Sequence, residues 1–325
     1  MMGKIRTIPI LFLLGRRRRS FTLAELIVTI VIISILMGIT WGAILRVRQQ
    51  GRVAKTKATI AKINQIIMER YDSYRTRRVP VDTRGLPPLV AAKFRLWAIR
   101  CIMAWEMPDR LSDVTWPAND PNNLTPADEN LPISLTLTLP NGQPVTRSMT
   151  RTALARRYFR RFLQKMPSGQ HSPAELLYLI VTEGSPGSRE LFAENEIADT
   201  DGDGYFEFVD GWGHPIYFIR CPVAFPDSDI QLPPTATPEE KATDHDPFDP
   251  LRVDPGAWRV VPLIYSAGPD GFYGLDLQGQ LGYFANWDKW YTLPVGAPAD
   301  DPNNPDDYLG CHQDNIHNHR AETMP

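Results

Sequence analysis

The sequence predicts an α+β fold: a long N-terminal helix, transmembrane in its first half, that runs into a domain of short strands and a block of further helices. Three observations carry this reading. Residues 26–45 form an apolar run without a charge. Beyond it Val53, Ile60, Ile63, Ile67, Tyr71 and Tyr74 recur at spacings of seven, three and four, the stripe of a helix with one packed face. Ile133, Leu135, Leu137 and Leu139 alternate, and apolar runs at 216–219 and 260–265 read as buried strands.

The first element is the membrane helix. At about 1.5 Å of rise per residue, residues 26–45 span roughly the 30 Å hydrocarbon core of a bilayer. Lys4, Arg6 and Arg16 to Arg19 precede it with no acid among residues 1–20, which orients that end toward the cytoplasm. Arg46, Arg48, Arg52, Lys55 and Lys57 on the far side weaken the asymmetry. A secretory signal peptide would end soon after its apolar run, whereas here the pattern continues as helix to about residue 74, through Gly38 and Gly51. The whole chain has a net charge of -2, so removing the six cations of residues 1–20 leaves the remainder at about -8, a charge unsuited to general nucleic-acid binding.

The middle elements follow from pattern and caps. Leu89, Ala92, Leu96, Ile99 and Met103 predict a helix; the strand at 133–139 runs into Asn141-Gly142, a hairpin signal; a further helix is expected over 150–165. Ser172-Pro173-Ala174-Glu175 reads as a capping box opening an apolar helix at 176–181. Arg151, Arg156, Arg157, Arg160 and Arg161 read as a solvated face, with a DNA or acidic-lipid patch as the sharper alternative and no nucleic-acid motif beside it. Residues 222–255, rich in proline and acids, read as a surface excursion.

Residues 199–210 carry the strongest site pattern. Asp199, Asp201, Asp203, Glu207 and Asp210 stand at positions one, three, five, nine and twelve of a calcium loop, with Gly204 at six and the Tyr205 carbonyl at seven. Calcium takes six to eight hard oxygens at about 2.3–2.6 Å, which alternating carboxylates around a turn can supply. The alternative is an acidic turn without an ion. Asp210 stands where a longer glutamate is usual, and a strand, not a helix, follows the loop, so the expectation is a structural ion that orders the domain.

Two groups of motifs resemble a known family. Ser20-Phe21-Thr22-Leu23-Ala24-Glu25-Leu26 resembles the prepilin cleavage and methylation motif of type IV pilin-like proteins, with Ser20 where that family usually has glycine. Asp210-Gly211-Trp212-Gly213-His214-Pro215 and Ser266-Ala267-Gly268-Pro269-Asp270-Gly271 resemble two segments of the major pseudopilin of type II secretion, and Asn286-Trp287 and Asp314-Asn315-Ile316 echo its closing elements. The resemblance implies a pilin-like fold in which the second half of the helix packs on a small antiparallel sheet. It implies cleavage by prepilin peptidase between Ser20 and Phe21, methylation of the Phe21 amine, and pairing of Glu25 with that amine on a neighbouring subunit. Taken without the motif, Glu25 would simply favour the positive end of the helix. Carboxy-terminal calcium ligands in that family make Asp270, Asp276 and Asp288 a possible second metal site.

The expected organisation is a prepilin leader at 1–20, the N-terminal helix at 21–75, a mainly helical insertion at 76–198, a calcium-loop and β region at 199–295, and a polar tail at 296–325. The expected function is a structural subunit of a type II secretion pseudopilus or related filament, not an enzyme. Its domain would lie in the periplasm on a single inner-membrane span. The implied partners are homo- and hetero-oligomeric pilin-like subunits, prepilin peptidase, the inner-membrane assembly platform and membrane lipid, with no nucleic acid. The alternatives are a minor pilin for adhesion or DNA uptake and a membrane-anchored metal-dependent hydrolase using Cys221, Cys311 and His312. For the latter, no GxSxG, HExxH, Walker or dinucleotide pattern occurs, and His312, His317 and His319 are expected to be exposed. Cys221 to Cys311 is the disulfide expected first if the domain is extracytoplasmic.

Overall fold

The computed structural model describes residues 22–117, 129–165, 167–168, 170–277, 287–288, 295–299 and 312–320. It is α+β with a pilin-like arrangement: one long N-terminal helix followed by small antiparallel sheets and additional helices. The chain divides into two compact units, Met1–Gln50 and Gly51–Pro325, and helix α1 (Leu23–Ser73) contributes to both without a break at Gly38 or Gly51.

In the first unit α1 is apolar and bare, with Ile33, Leu36 and Trp41 each more than half exposed. Apolar surface left in water costs roughly 25 cal/mol per Å², so a helix of this kind is matched to lipid. In the second unit α1 buries Ile60, Ile63, Ile67 and Tyr71 of the expected stripe, with Val53 half-buried and Tyr74 buried just past the helix end, while its other face carries Lys57, Lys62 and Glu69.

The stripe packs on a three-stranded antiparallel sheet in the order β5 (Ile216–Ile219), β6 (Leu263–Ser266), β7 (Ile316–His317). Every residue of β5 and β6 is buried, because both faces of the sheet are covered. Ile216, Phe218 and Ile264 join the main core with Ile60 and Ile63, and the alternate residues Tyr217, Ile219, Leu263 and Tyr265 pack with Ala174 on the other side. This is the two-residue period of a strand dividing its side chains between two layers.

The helical block belongs to the same unit. Helix α2 (Pro88–Glu106) is apolar over most of its surface and buried accordingly, and its two buried charges, Arg100 and Glu106, are paired. Arg100 donates to Asp246 at 2.9 Å and Asp254 at 2.7 Å; Glu106 accepts from Arg77, from the Tyr74 hydroxyl at 3.1 Å and from the Thr152 hydroxyl at 2.6 Å. A short helix α3 (Leu111–Thr115) follows, then the hairpin of β1 (Ile133–Thr138) and β2 (Pro144–Met149) closing on Asn141-Gly142, with Gly142 at φ 82°. Helix α4 (Ala153–Gln164) is capped by the Thr152 hydroxyl, and α5 (Ser172–Gly184) lies against β5 and against β4 (Glu207–Phe208), the partner of β3 (Ile197–Ala198). A last helix, α6 (Pro238–Thr243), opens on a capping box between Thr237 and Glu240.

Several expectations are corrected here. The helix at 172 starts a residue early: Ser172 lies inside it, His171 is its cap residue, and no side chain caps it, so there is no Ser172–Glu175 capping box. The strand expected at 260–265 is shifted to Leu263–Ser266, since Val260 and Val261 are buried as irregular chain. Residues 222–255 are not a loose excursion, because Phe225 and Phe248 enter the core and Asp246 and Asp254 hold the buried Arg100. The tail is not uniformly polar and exposed: residues 316–317 form the third strand of the sheet, and His312, His317 and His319 are all buried. Arg151 is buried too, donating to the Thr115 carbonyl at 2.8 Å, while Arg160 pairs with Glu129 and Arg161 with Glu183. Neither Cys101 nor Cys221 forms a disulfide among the described residues, and Cys311 lies outside them.

Candidate functional site

The N-terminal motif begins outside the described residues at Ser20 and Phe21 and enters them at Thr22. There the backbone N–H and the hydroxyl of Thr22 both donate to Glu25 Oε2 at 2.9 Å, and the Glu25 N–H donates to the Thr22 hydroxyl at 3.2 Å. This reciprocal pairing satisfies free donors at the start of α1 and holds the carboxylate at the first turn. Thr22 is the motif residue whose role sequence reasoning left unassigned; the spacing Thr-x-x-Glu was the available signal.

The acidic loop is the turn of a small hairpin. β3 pairs antiparallel with β4 through Ile197↔Phe208 and Ala198↔Glu207, so the chain from Asp199 to Phe206 must reverse direction, and Gly202 and Gly204 supply positive φ of 77° and 89°. Asp199 accepts from the backbone of Gly202 at 2.8 Å and Gly204 at 3.0 Å; Asp201 accepts from the Asp203 N–H at 3.2 Å; Asp203 accepts from the Tyr205 N–H at 2.8 Å. Ser168 donates to Asp203 through its backbone and to Asp201 through its hydroxyl. Tyr205 stacks on Phe162 of α4 at 5.4 Å between ring centroids and donates its hydroxyl to the Lys165 carbonyl, anchoring the far side of the turn.

Two groups of acids converge. The ligand oxygens of Asp199, Asp201 and Asp203 lie within 4.8 Å of one another, and so do those of Glu175, Asp201 and Glu207. Glu207, on β4, is fully buried; one of its oxygens accepts from the Thr200 N–H at 2.9 Å and the other has no partner among the described residues. Glu175, in the first turn of α5, is 1% exposed, and neither of its oxygens is hydrogen-bonded among the described residues. Burial, reinforced by Asp203, Glu207, Asp201 and Asp199, pushes the Glu175 carboxyl up to about 8. Burial also pushes Glu207 up to about 7, against the Thr200 hydrogen bonds.

The structure therefore brings together Asp199, Asp201, Asp203 and Glu207 and adds Glu175, which sequence reasoning assigned to a helix cap. Asp210 stands apart. Its Oδ1 accepts from the backbone of Trp212, Gly213 and His214 at 2.8, 2.8 and 2.9 Å, and its Oδ2 accepts from the Ser266 hydroxyl at 2.6 Å. Nor are Asp270, Asp276 and Asp288 gathered into a group of ligands among the described residues. Asp270 accepts from the Phe272 N–H at 2.9 Å and neighbours Asp314, whose carboxyl is raised by burial and then by the charge of Asp270.

Comparison with known proteins bears on the other end of the chain. A family model described as the prokaryotic N-terminal methylation motif matches residues 15–41, the stretch holding Ser20, Phe21 and Glu25. No curated protein and no solved structure matches the chain. The motif, set directly at the start of a long apolar helix, supports a type IV pilin-like protein, a class that is structural and not enzymatic. It suggests processing by prepilin peptidase, assembly with pilin-like subunits and membrane anchoring by a single helix.

Proposed function

We propose that this chain is a structural subunit of a type II secretion pseudopilus or a related type IV pilin-like filament. Prepilin peptidase cuts before Phe21 and methylates its amine, and the domain stands in the periplasm on one inner-membrane span, with calcium on the 199–207 loop ordering it. The observation that carries the reading is the methylation motif at 15–41 with Glu25 placed at the first turn of α1. A carboxylate at the edge of a bilayer is costly unless paired. In a stack of such helices a neighbouring Phe21 amine can take the place of the Thr22 donors. The pseudopilus assignment is supported by the two resembling segments, which meet through Asp210 and Ser266.

The test is Glu25→Ala in cells that express the rest of the filament machinery. The variant is expected to fractionate with the inner membrane like the wild type yet to be missing from sheared or purified filaments. Normal incorporation of the variant would remove the proposed role of Glu25.

A further inference from the structure

In the second unit the carboxylate of Glu175 lies with those of Asp201 and Glu207. It is 1% exposed, and neither oxygen meets a donor among the described residues. Beside it Glu207 is fully buried with one oxygen unpartnered among the described residues, and Asp201 completes a triad whose ligand atoms lie within 4.8 Å of one another. Burying a carboxylate without a partner is expensive, and burying two side by side more so. Oxygens that share a calcium ion at about 2.3–2.6 Å stand at most about 5 Å apart, so this spacing is that of ligands around one ion.

We propose that Glu175 of α5 is a calcium ligand, and that with Glu207 it forms the buried half of a site whose solvent side is Asp199, Asp201 and Asp203. The inference rests on the calcium reading of the 199–207 loop and changes its character. A local loop of the helix-loop-helix kind takes its ligands from one contiguous segment. Here the ion bridges the first turn of α5 to the β3–β4 hairpin, and Asp201, common to both acidic groups, joins the two halves. The ion is thereby a clamp between two elements, one of which, α5, also packs on β5 of the central sheet. The donor set favours calcium: among the described residues it holds only carboxylate oxygens, with no thiolate or imidazole for zinc, and three aspartates and two glutamates drawn from two elements suit the adaptable shell of six to eight oxygens that calcium takes, where magnesium demands a near-ideal octahedron at about 2.0–2.1 Å.

The experiment is calorimetric titration of the full-length protein, purified in detergent, with calcium chloride, alongside thermal melts with and without the ion. Wild type is expected to bind and to melt higher in calcium. Glu175→Gln is expected to lose about 100-fold in affinity, since ligand charge sets calcium affinity, and to lose the calcium-dependent rise in Tm while melting no lower than wild type without the ion. If Glu175→Gln does not fold, Glu175→Asp, which keeps the charge and shortens the reach, is expected to bind about 10-fold more weakly. Wild-type affinity in whichever variant folds would overturn the role of Glu175 while leaving calcium on the loop. Absence of both heat and Tm shift in the wild type would overturn the loop reading as well, and magnesium binding as tightly as calcium would overturn the choice of ion.

Discussion

Asp210 and Ser266, 56 positions apart, are joined by a 2.6 Å hydrogen bond from the serine hydroxyl to the buried carboxylate. The second carboxylate oxygen gathers the N–H groups of Trp212, Gly213 and His214, and His214 in turn bonds the Gly268 carbonyl at 3.1 Å. One aspartate thus shapes the turn before β5 and fastens it to the turn after β6. Asp210→Ala is expected to lower the unfolding free energy by about 3–5 kcal/mol, and Ser266→Ala by only about 1–2 kcal/mol, because the serine change leaves the three backbone bonds in place. Urea denaturation of the full chain in detergent checks the order; equal losses would contradict it.

Gly211 gives a steric counterpart. A Cβ there would lie 2.6 Å from the Arg52 Cα, and the Gly211 N–H donates to the Thr56 hydroxyl at 2.9 Å, so the turn sits directly on the backbone of α1. Gly211→Ala is expected to cost about 2–4 kcal/mol by forcing the turn off the helix. Gly213→Ala, at φ 96° but with open space around it, is expected to cost about 1–2 kcal/mol of backbone strain alone. Thermal melts of the two variants separate these causes, and a smaller loss for Gly211→Ala would refute the close packing.

Arg220 is buried between two acids. It donates to Asp113 at 2.7 Å and to the Met107 carbonyl at 2.9 Å, while its backbone N–H donates to Asp109 at 3.0 Å. Burial raises both carboxyls; Arg220 and Arg110 more than offset this at Asp109, whereas Asp113, with Asp109 beside it, is pushed up to about 7. Arg220→Met is expected to destabilise by about 3–5 kcal/mol because it strands buried charge, and adding Asp113→Asn should recover part of the loss. A double-mutant cycle by urea unfolding measures the recovery; a double variant no better than Arg220→Met would argue against stranded charge as the cause.

How much of this was legible in the sequence varies by element. Ile60, Ile63 and Ile67 announced their helix face by spacing, and Asn141-Gly142 announced its hairpin, because those signals are local. Ile216–Ile219 was readable as a buried strand from its unbroken apolar run. Glu175 was not readable as a site residue, since the same Ser-Pro-Ala-Glu string that suggests a cap places the side chain beside Asp201 and Glu207, 26 and 32 residues later. Arg100 with Asp246 and Asp254 is a pairing across 146 and 154 positions, so proline-rich acidic chain looked like surface when its acids were wanted inside. The tail histidines misled for a similar reason: composition signals exposure, while pairing of Ile316–His317 with β6 draws their rings into the core.

Those rings make stability depend on pH. Burial pushes His317 down to about 3 and His319 to about 4, the latter against hydrogen bonds to the Pro262 and Val261 carbonyls. In the unfolded chain both protonate near the ordinary value of about 6.5, so between that pH and the lowered values the unfolded state holds more protons. The stability they contribute is complete above about 6.5 and falls as pH falls, by on the order of 2 kcal/mol per ring between pH 7 and 5. Buried carboxyls such as Asp113 titrate with the opposite sign in this window, so the effect is read as the difference between wild type and a His317→Gln, His319→Gln double variant. A difference that stays constant from pH 7 to 5 would contradict it.

The most direct measurement is the chemical identity of the mature N-terminus, determined by mass spectrometry of the amino-terminal peptide from protein extracted out of the membrane. The account predicts a chain that begins at Phe21 and carries a methyl group on its α-amine. A chain that retains residues 1–20 would have no such amine to meet Glu25, and would contradict assembly by helix stacking at its first step.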